Sequence, residues 1–167
     1  MSDKSSTPIT PEVLAAAPRA GLWRRLAALL YDVFLVAAIW MFLGFIMQLI
    51  VGTGSSQLVD GRVQTDPVYS AVLFALMVSS AAWFYIGFWQ RTGQTLGMIA
   101  WRIKVVSVDN SPLDLRQGLI RFFAAWPAFW LGGLGYLWLY IDREGDALHE
   151  KLSGSKTVLL PKHARPF

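Results

Sequence analysis

Two long apolar stretches constrain this chain more than any other feature of its sequence. Residues 26–51 carry one charged side chain, Asp32, and residues 68–89 carry none. A helix needs about 20 consecutive apolar residues to cross the hydrocarbon core of a bilayer, and both stretches reach that length. The sequence therefore predicts an all-α membrane protein with two transmembrane helices.

The composition agrees with a membrane location. Hydrophobic residues make up 54% of the 167 residues and charged residues only 16%. A small soluble fold exposes too much of its surface to water to hide this apolar content. The absence of cysteine excludes a disulfide scaffold and thiol chemistry. The net charge of +4 fits loops beside anionic headgroups, so the predicted partner is the lipid bilayer and not nucleic acid.

A third apolar stretch, residues 122–140, is interrupted. It contains Pro127 and the glycines Gly132, Gly133 and Gly135. Proline removes a helix hydrogen-bond donor and a glycine cluster favours a turn. The stretch predicts either a kinked third span or a re-entrant helical hairpin.

The distribution of lysine and arginine favours one topology. With both termini cytoplasmic, 14 of the 15 basic residues lie inside, whereas three full spans place 9 inside and 6 outside. The positive-inside rule therefore favours two spans plus a re-entrant element in a bacterial inner membrane. The predicted layout is a mobile cytoplasmic tail at 1–20, a membrane domain at 21–160 and a C-terminal tail at 161–167.

Two short segments have the character of strands. Residues 102–108 alternate and are rich in β-branched side chains, and residues 156–160 form a second such run. Isolated strands of this length are stable mainly when they pair. The segments predict a small cytoplasmic β pairing, with extended loops as the alternative.

Asp32 is the candidate functional residue of the first span. A charged group inside a span costs ~2.5–3.5 kcal/mol on insertion scales, so it usually faces a polar interior. Asp32 either exchanges a proton or cation there or fixes helix packing through a buried hydrogen bond. Arg25 lies on almost the same helix face but about 10 Å away along the axis. Each of the two is therefore expected to meet a partner from another element.

Two further motifs carry polar side chains. Gly93, Thr95 and Gly97 follow the second span, where they can satisfy backbone groups at the end of the helix. The pair His149-Glu150 has no second ligand at helical spacing, so neither a metal nor another cofactor is predicted.

Taken together, these features resemble the RDD family of small bacterial membrane proteins over roughly residues 19–160. The matching segments are Arg25-Leu-Ala-Ala-Leu-Leu-Tyr-Asp32, Gly93-Gln-Thr-Leu-Gly97, Arg102-Ile-Lys-Val-Val106, Leu119-Ile-Arg121 and His149-Glu150-Lys-Leu-Ser-Gly154.

The resemblance also assigns residues to the family name, which stands for one arginine and two aspartates. Arg25 and Asp32 match the arginine and the first aspartate. The second acidic position matches Glu150, one methylene longer than aspartate, and Asp142 is the alternative. The resemblance implies a suspected role in transport.

The sequence is compatible with two functions. The first is transport of a small solute or cation, coupled to protons or Na⁺, by an oligomer in which Arg25 is the electrostatic partner or gate of Asp32. The alternative is a structural or assembly module that packs against a larger membrane protein. An enzyme is not expected, because the sequence offers no nucleophile–base set.

Overall fold

The computed structural model describes residues 8–59 and 62–162. The α-helices in this part of the chain are α1 (Pro11–Ala16), α2 (Leu22–Val51), α3 (Pro67–Arg91), α4 (Leu96–Ala100), α5 (Leu115–Trp130), α6 (Leu134–Leu137) and α7 (Leu148–Ser153). The strands are β1 (Ser56–Val59), β2 (Arg62–Thr65), β3 (Ile103–Ser107) and β4 (Ser155–Leu159).

The two long helices confirm the two predicted spans in length and composition. Both α2, with 30 residues, and α3, with 25, are apolar enough to cross a membrane. Pro67 is the first residue of α3, a position where the backbone N–H makes no hydrogen bond within the helix. The Asp66 carboxylate caps this end of the helix by accepting from the Tyr69 amide at 2.9 Å. Gly93, with φ of +73°, follows its last turn in the left-handed conformation that terminates helices.

The chain divides into two compact units, one of which is Val33–Phe84. This unit contains most of α2 and α3, and the Trp40 indole donates to the Met77 carbonyl at 2.9 Å. The connection between the helices forms an antiparallel hairpin of β1 and β2, from Ser56 opposite Thr65 to Val59 opposite Arg62. The sequence did not predict these strands, because a Gly/Ser-rich segment gives little alternation to detect.

The other unit consists of the described parts of Met1–Asp32 and Tyr85–Phe167. Its sheet pairs β3 antiparallel with β4, from Ile103 opposite Leu159 to Ser107 opposite Ser155. The pairing predicted from the alternating segments is confirmed. Val105 and Val158 are fully buried in this sheet, which explains the β-branched composition of both strands.

The N-terminal segment differs from its prediction as a mobile tail. Leu14 of α1 is buried with Val106, Val158 and Leu160. The segment after α1 pairs with β4, since the Leu159 amide donates to the Pro18 carbonyl at 2.8 Å. In residues 8–20 the chain therefore packs on the sheet, because apolar burial and backbone bonding offset the entropy of ordering it. Residues 1–7, and 163–167 of the predicted C-terminal tail, lie outside the described residues.

The third apolar stretch forms a helical hairpin. The α5 helix continues through Pro127, and the chain then turns at Gly132 and Gly133, whose φ angles are +68° and +78°. A Cβ on Gly135 of α6 would lie 2.2 Å from that of Ala128. In one continuous helix these residues would be about 10 Å apart along the axis. The chain therefore reverses direction at the two glycines.

Candidate functional site

Glu150 lies at the centre of a buried ionic cluster. Arg25 Nη1 donates to Glu150 Oε2, and Arg121 Nη2 donates to Glu150 Oε1 at 3.1 Å. The Thr157 hydroxyl also donates to Oε1, and the Ala147 amide donates to Oε2 at 2.9 Å. Each carboxylate oxygen thus accepts two hydrogen bonds. We call Arg25, Arg121, Glu150 and Thr157 the arginine cluster.

The cluster joins four distant parts of one unit. Arg25 comes from the first turn of α2, Arg121 from α5, Glu150 from α7 and Thr157 from β4. Its side chains also bind backbone, since Arg25 Nε donates to the Ala20 carbonyl at 2.7 Å. These contacts fix the start of α2 to the sheet and to α7.

The electrostatics of the cluster favour a permanently ionised Glu150. Burial by itself raises the pKa of a carboxyl group, but here the charges of Arg121 and Arg25 outweigh burial and lower the pKa of Glu150 to about 2. Two guanidiniums against one carboxylate leave one positive charge in excess. Arg121 lies 5.2 Å from the Trp89 ring centroid, where the π-electron face stabilises a cation.

His149 precedes Glu150 and is buried beside the cluster. Its ring lies 4.8 Å from that of Tyr136, and within the described residues its Nδ1 has no hydrogen-bond partner. Burial, together with the positive charge of Arg121, lowers the pKa of His149 to about 3. The imidazole is therefore neutral at physiological pH.

Asp32 has a separate set of partners. The Thr95 hydroxyl donates to Asp32 Oδ2 at 2.5 Å, and the Gly97 amide donates to Oδ1 at 2.9 Å. Asp32 is 1% exposed, and Thr95 and Gly97 are also buried. We call these three residues the Asp32 cluster. The motif after the second span thus supplies both of these hydrogen-bond donors to the carboxylate of the first span.

The spacing of this motif follows from the contact that it makes. Thr95 caps α4 by accepting from the Met98 amide, which orients its hydroxyl toward Asp32. A Cβ on Gly97 would lie 2.2 Å from the Ala28 carbonyl oxygen and 2.9 Å from Asp32 Oδ1. Only glycine allows the backbone of α4 to approach α2 this closely.

The structure separates the two family residues that the sequence placed on one helix face. Arg25 binds Glu150, and no ion pair joins it to Asp32 within residues 8–59 and 62–162. Each of the two thus has hydrogen-bond partners on other elements, as expected, because the axial distance of about 10 Å exceeds hydrogen-bond reach. A role of Arg25 as electrostatic partner or gate of Asp32 stays a prediction.

Asp142 lies outside the arginine cluster and has its own partners. Its Oδ1 lies 2.5 Å from Lys151 Nζ, and its Oδ2 accepts from the amides of Glu144 and Asp146 at 3.1 Å. Of the two acidic candidates it is therefore Glu150 that binds Arg25.

Three acidic side chains lie as close together as the ligands of a metal ion. Carboxylate oxygens of Asp142, Glu144 and Asp146 lie within 4.8 Å of one another. Two of the three are already bound by cations, because Lys151 pairs with Asp142 and Arg19 pairs with Asp146 at 2.6 Å.

Sequence reasoning missed two members of the arginine cluster. In the sequence, Arg121 precedes the third apolar stretch and Thr157 belongs to the strand-like run 156–160, and neither is expected to contact Glu150. The signal available for Arg121 was its place in the Leu119-Ile-Arg121 segment of the family resemblance. Nothing local marks Thr157, which lies seven residues after Glu150.

Comparison with known proteins gives one match. Neither the curated proteins nor the solved structures that were searched contain a match to the chain. The model of the RDD family matches residues 19–154, which include Arg25, Asp32 and Glu150. With the two apolar helices, this match indicates a membrane protein. The chain therefore belongs to the RDD family.

Proposed function

We propose that this protein exchanges a small cation, either a proton or Na⁺, across a bacterial inner membrane, with Asp32 as the exchanging group. One observation carries the proposal. Asp32 is buried within the first span, and no lysine or arginine of the described residues forms an ion pair with it. A buried carboxylate without a counter-charge is costly in free energy, and a bound proton or cation relieves that cost.

The surroundings of Glu150 differ from those of Asp32, and this difference supports Asp32 as the exchanging group. Its charge is balanced by Arg25 and Arg121, and every oxygen is hydrogen-bonded. Neutralising it would leave two buried guanidiniums without a counter-ion. Glu150 is therefore a fixed structural charge, which leaves Asp32 as the acidic group suited to exchange.

The proposed mechanism needs an oligomer and a defined topology. Two spans are few for a carrier that alternates its access between two sides, so the ion pathway is formed between copies or with another membrane protein. Both termini lie in the cytoplasm in this scheme, where 14 of the 15 basic residues collect. Lipid and the small cation are the other partners, and the proposal involves no catalysed reaction.

Ion flux in liposomes tests this proposal. Asp32→Asn keeps the side-chain shape, its oxygen can accept from Gly97, and its amide can donate to the Thr95 hydroxyl. We expect purified protein to carry protons or Na⁺ down an imposed gradient, and Asp32→Asn to reduce that flux to the level of empty liposomes. Flux would be followed with pH- and Na⁺-sensitive dyes trapped inside the vesicles.

The matched control is Asp66→Asn, because Asp66 is exposed and asparagine caps a helix equally well. This variant should retain full flux. A wild-type protein that carries neither ion, or an Asp32→Asn variant with unchanged flux, would contradict the transport proposal.

The second candidate is a structural or assembly module that packs against a larger membrane protein. The arginine cluster favours it, because four elements converge on one carboxylate. In this case no variant shows flux, and Asp32→Ala lowers the thermal midpoint because it leaves the Gly97 amide and the Thr95 hydroxyl buried without their acceptor. An Asp32→Ala protein of unchanged thermal stability would contradict a packing role for Asp32.

A further inference from the structure

The hairpin of α5 and α6 exposes large apolar side chains. Along α5 the large hydrophobic side chains recur every three or four residues, which places them on one side of the helix. The exposed members of this face are Leu115, Leu119, Phe123, Trp126 and Trp130. Beyond the turn, Leu134, Leu137 and Ile141 are exposed as well. The proposed ion exchange makes no use of this surface.

Both ends of the hairpin are fixed to the same part of the fold. At its start, Gln117 Nε2 donates to the Ser107 hydroxyl at 3.0 Å and to the Gly154 carbonyl at 3.2 Å. After its end, Asp142 pairs with Lys151 of α7, and the Ala147 amide donates to Glu150. The segment between them leaves the β3–β4 sheet and α7 and returns to them. It therefore cannot end on the far side of a bilayer.

The dimensions of α5 lead to the same conclusion. The helix has 16 residues, about 24 Å at 1.5 Å per residue, which is shorter than the ~30 Å hydrocarbon core. Its first half carries Arg116, Gln117 and Arg121, so the apolar part after Arg121 is only about 14 Å long. That length matches one leaflet.

The charge pattern identifies what covers the face. No charged side chain occurs from Phe122 to Ile141, whereas exposed Arg116 and Arg143 flank the two ends. Apolar surface bounded by arginines is complementary to acyl chains below anionic headgroups. The first turns of the apolar helix α2 belong to the same unit as the hairpin.

We infer that the α5–α6 hairpin is a lipid-binding anchor, which inserts Trp130 and the Gly132–Gly133 turn into the cytoplasmic leaflet and returns without crossing. Its exposed face contacts acyl chains, while its opposite face holds the arginine cluster at the membrane surface. This inference stands whether or not the protein carries an ion.

Spin labels on single cysteines test the insertion, because the chain has no cysteine of its own. The full-length variants Trp130→Cys and Leu134→Cys place labels at the turn, where the native side chains are 77% and 63% exposed, so the core is left intact. Ser111→Cys, in the exposed turn after β3, is the control. Each variant is reconstituted in nanodiscs of zwitterionic and anionic phospholipid.

We expect the labels at 130 and 134 to collide with oxygen, which is soluble in lipid, and not with a water-soluble nickel complex. The ratio of the two collision rates should place both labels between the cytoplasmic headgroups and the bilayer midplane. The label at 111 should show the reverse. Collision with the nickel complex at 130 would mean that the hairpin lies in water. Protection from both reagents, with spin–spin broadening between copies, would mean a protein interface instead.

A second measurement separates an anchor from a full span. Arg116→Cys and Arg143→Cys should both react with a membrane-impermeant maleimide from the same side of sealed vesicles. Reaction from opposite sides would overturn the inference.

Discussion

At the scale of single residues, the two acidic family positions differ in what surrounds them. Glu150 is bound by two guanidiniums, whereas Asp32 is bound by a hydroxyl and an amide. The hydropathy of the sequence singles out Asp32 because it interrupts an apolar run. It gives no comparable signal for Glu150, which lies among other polar residues. Yet Glu150 is the more deeply buried, with no exposed surface.

The substitution Glu150→Gln should destabilise the protein strongly. It leaves Arg25 and Arg121 buried without a counter-ion, and breaking a buried pair typically costs about 3–5 kcal/mol. Lys151→Gln is the control, since it removes an ion pair whose lysine side chain is 44% exposed, and it should cost far less stability. Unfolding in mild detergent would be followed by circular dichroism. Equal losses for the two variants would contradict a buried, energetically coupled cluster.

His149 should make stability depend on pH. Its pKa is about 3 in the folded protein and 6.5 ordinarily, so between these values the unfolded chain binds the additional proton. The free energy of unfolding therefore falls as pH decreases from 6.5 toward 3, by at most about 1.4 kcal/mol for each pH unit. His149→Phe keeps a ring in that position and removes the proton. Denaturant titrations of both proteins at pH 7.5 and 5 test this, and an identical decrease in the two would exclude His149 as the cause.

At the scale of elements, short helices position the site. The five residues of α4 and the six of α7 present Thr95, Gly97 and Glu150 to the start of α2. Helices of one or two turns have too few residues for a periodic apolar pattern. Their existence follows from caps and close backbone contacts, as at Thr95.

The contact between α4 and α2 should not tolerate a methyl group. Gly97→Ala places a Cβ 2.2 Å from the Ala28 carbonyl oxygen, so α4 must move away and lengthen the hydrogen bonds to Asp32. We expect a loss of about 1–3 kcal/mol, typical of overpacking, together with lost ion flux. Gly44→Ala is the control, because no atom lies within 4 Å of its Cβ position and alanine favours helix. Thermal unfolding distinguishes them, and a Gly97→Ala protein as stable as Gly44→Ala would contradict the contact.

At the scale of the whole molecule, the chain combines two apolar helices with a unit built around a small sheet. The positive-inside rule predicts that the basic termini and the sheet lie on one side of the membrane, as in the proposed scheme. The hairpin agrees with this arrangement, since both of its ends return to the sheet and α7.

Reporter fusions test this topology. Alkaline phosphatase is active only in the periplasm, so we expect an active fusion after Thr65, between the two spans, and an inactive one after Phe167. A fluorescent protein that matures only in the cytoplasm should give the reverse pattern. An active phosphatase after Phe167 would mean three complete spans.

The sequence by itself determined the features that depend on local composition. Apolar length predicted α2 and α3, and β-branched alternation predicted the segments that form β3 and β4. Each of these signals lies within one segment, because helix periodicity and strand alternation are properties of neighbouring residues.

Only the tertiary structure decided which polar residues meet. Arg25 and Glu150 are 125 positions apart, and Asp32 and Thr95 are 63 apart. The sequence offered Asp32, Glu150 and Asp142 as charges of the same sign, with nothing local to rank them as partners of Arg25. Burial and hydrogen-bond geometry make that choice, because a buried charge is stable only where its counter-charge and donors converge in space.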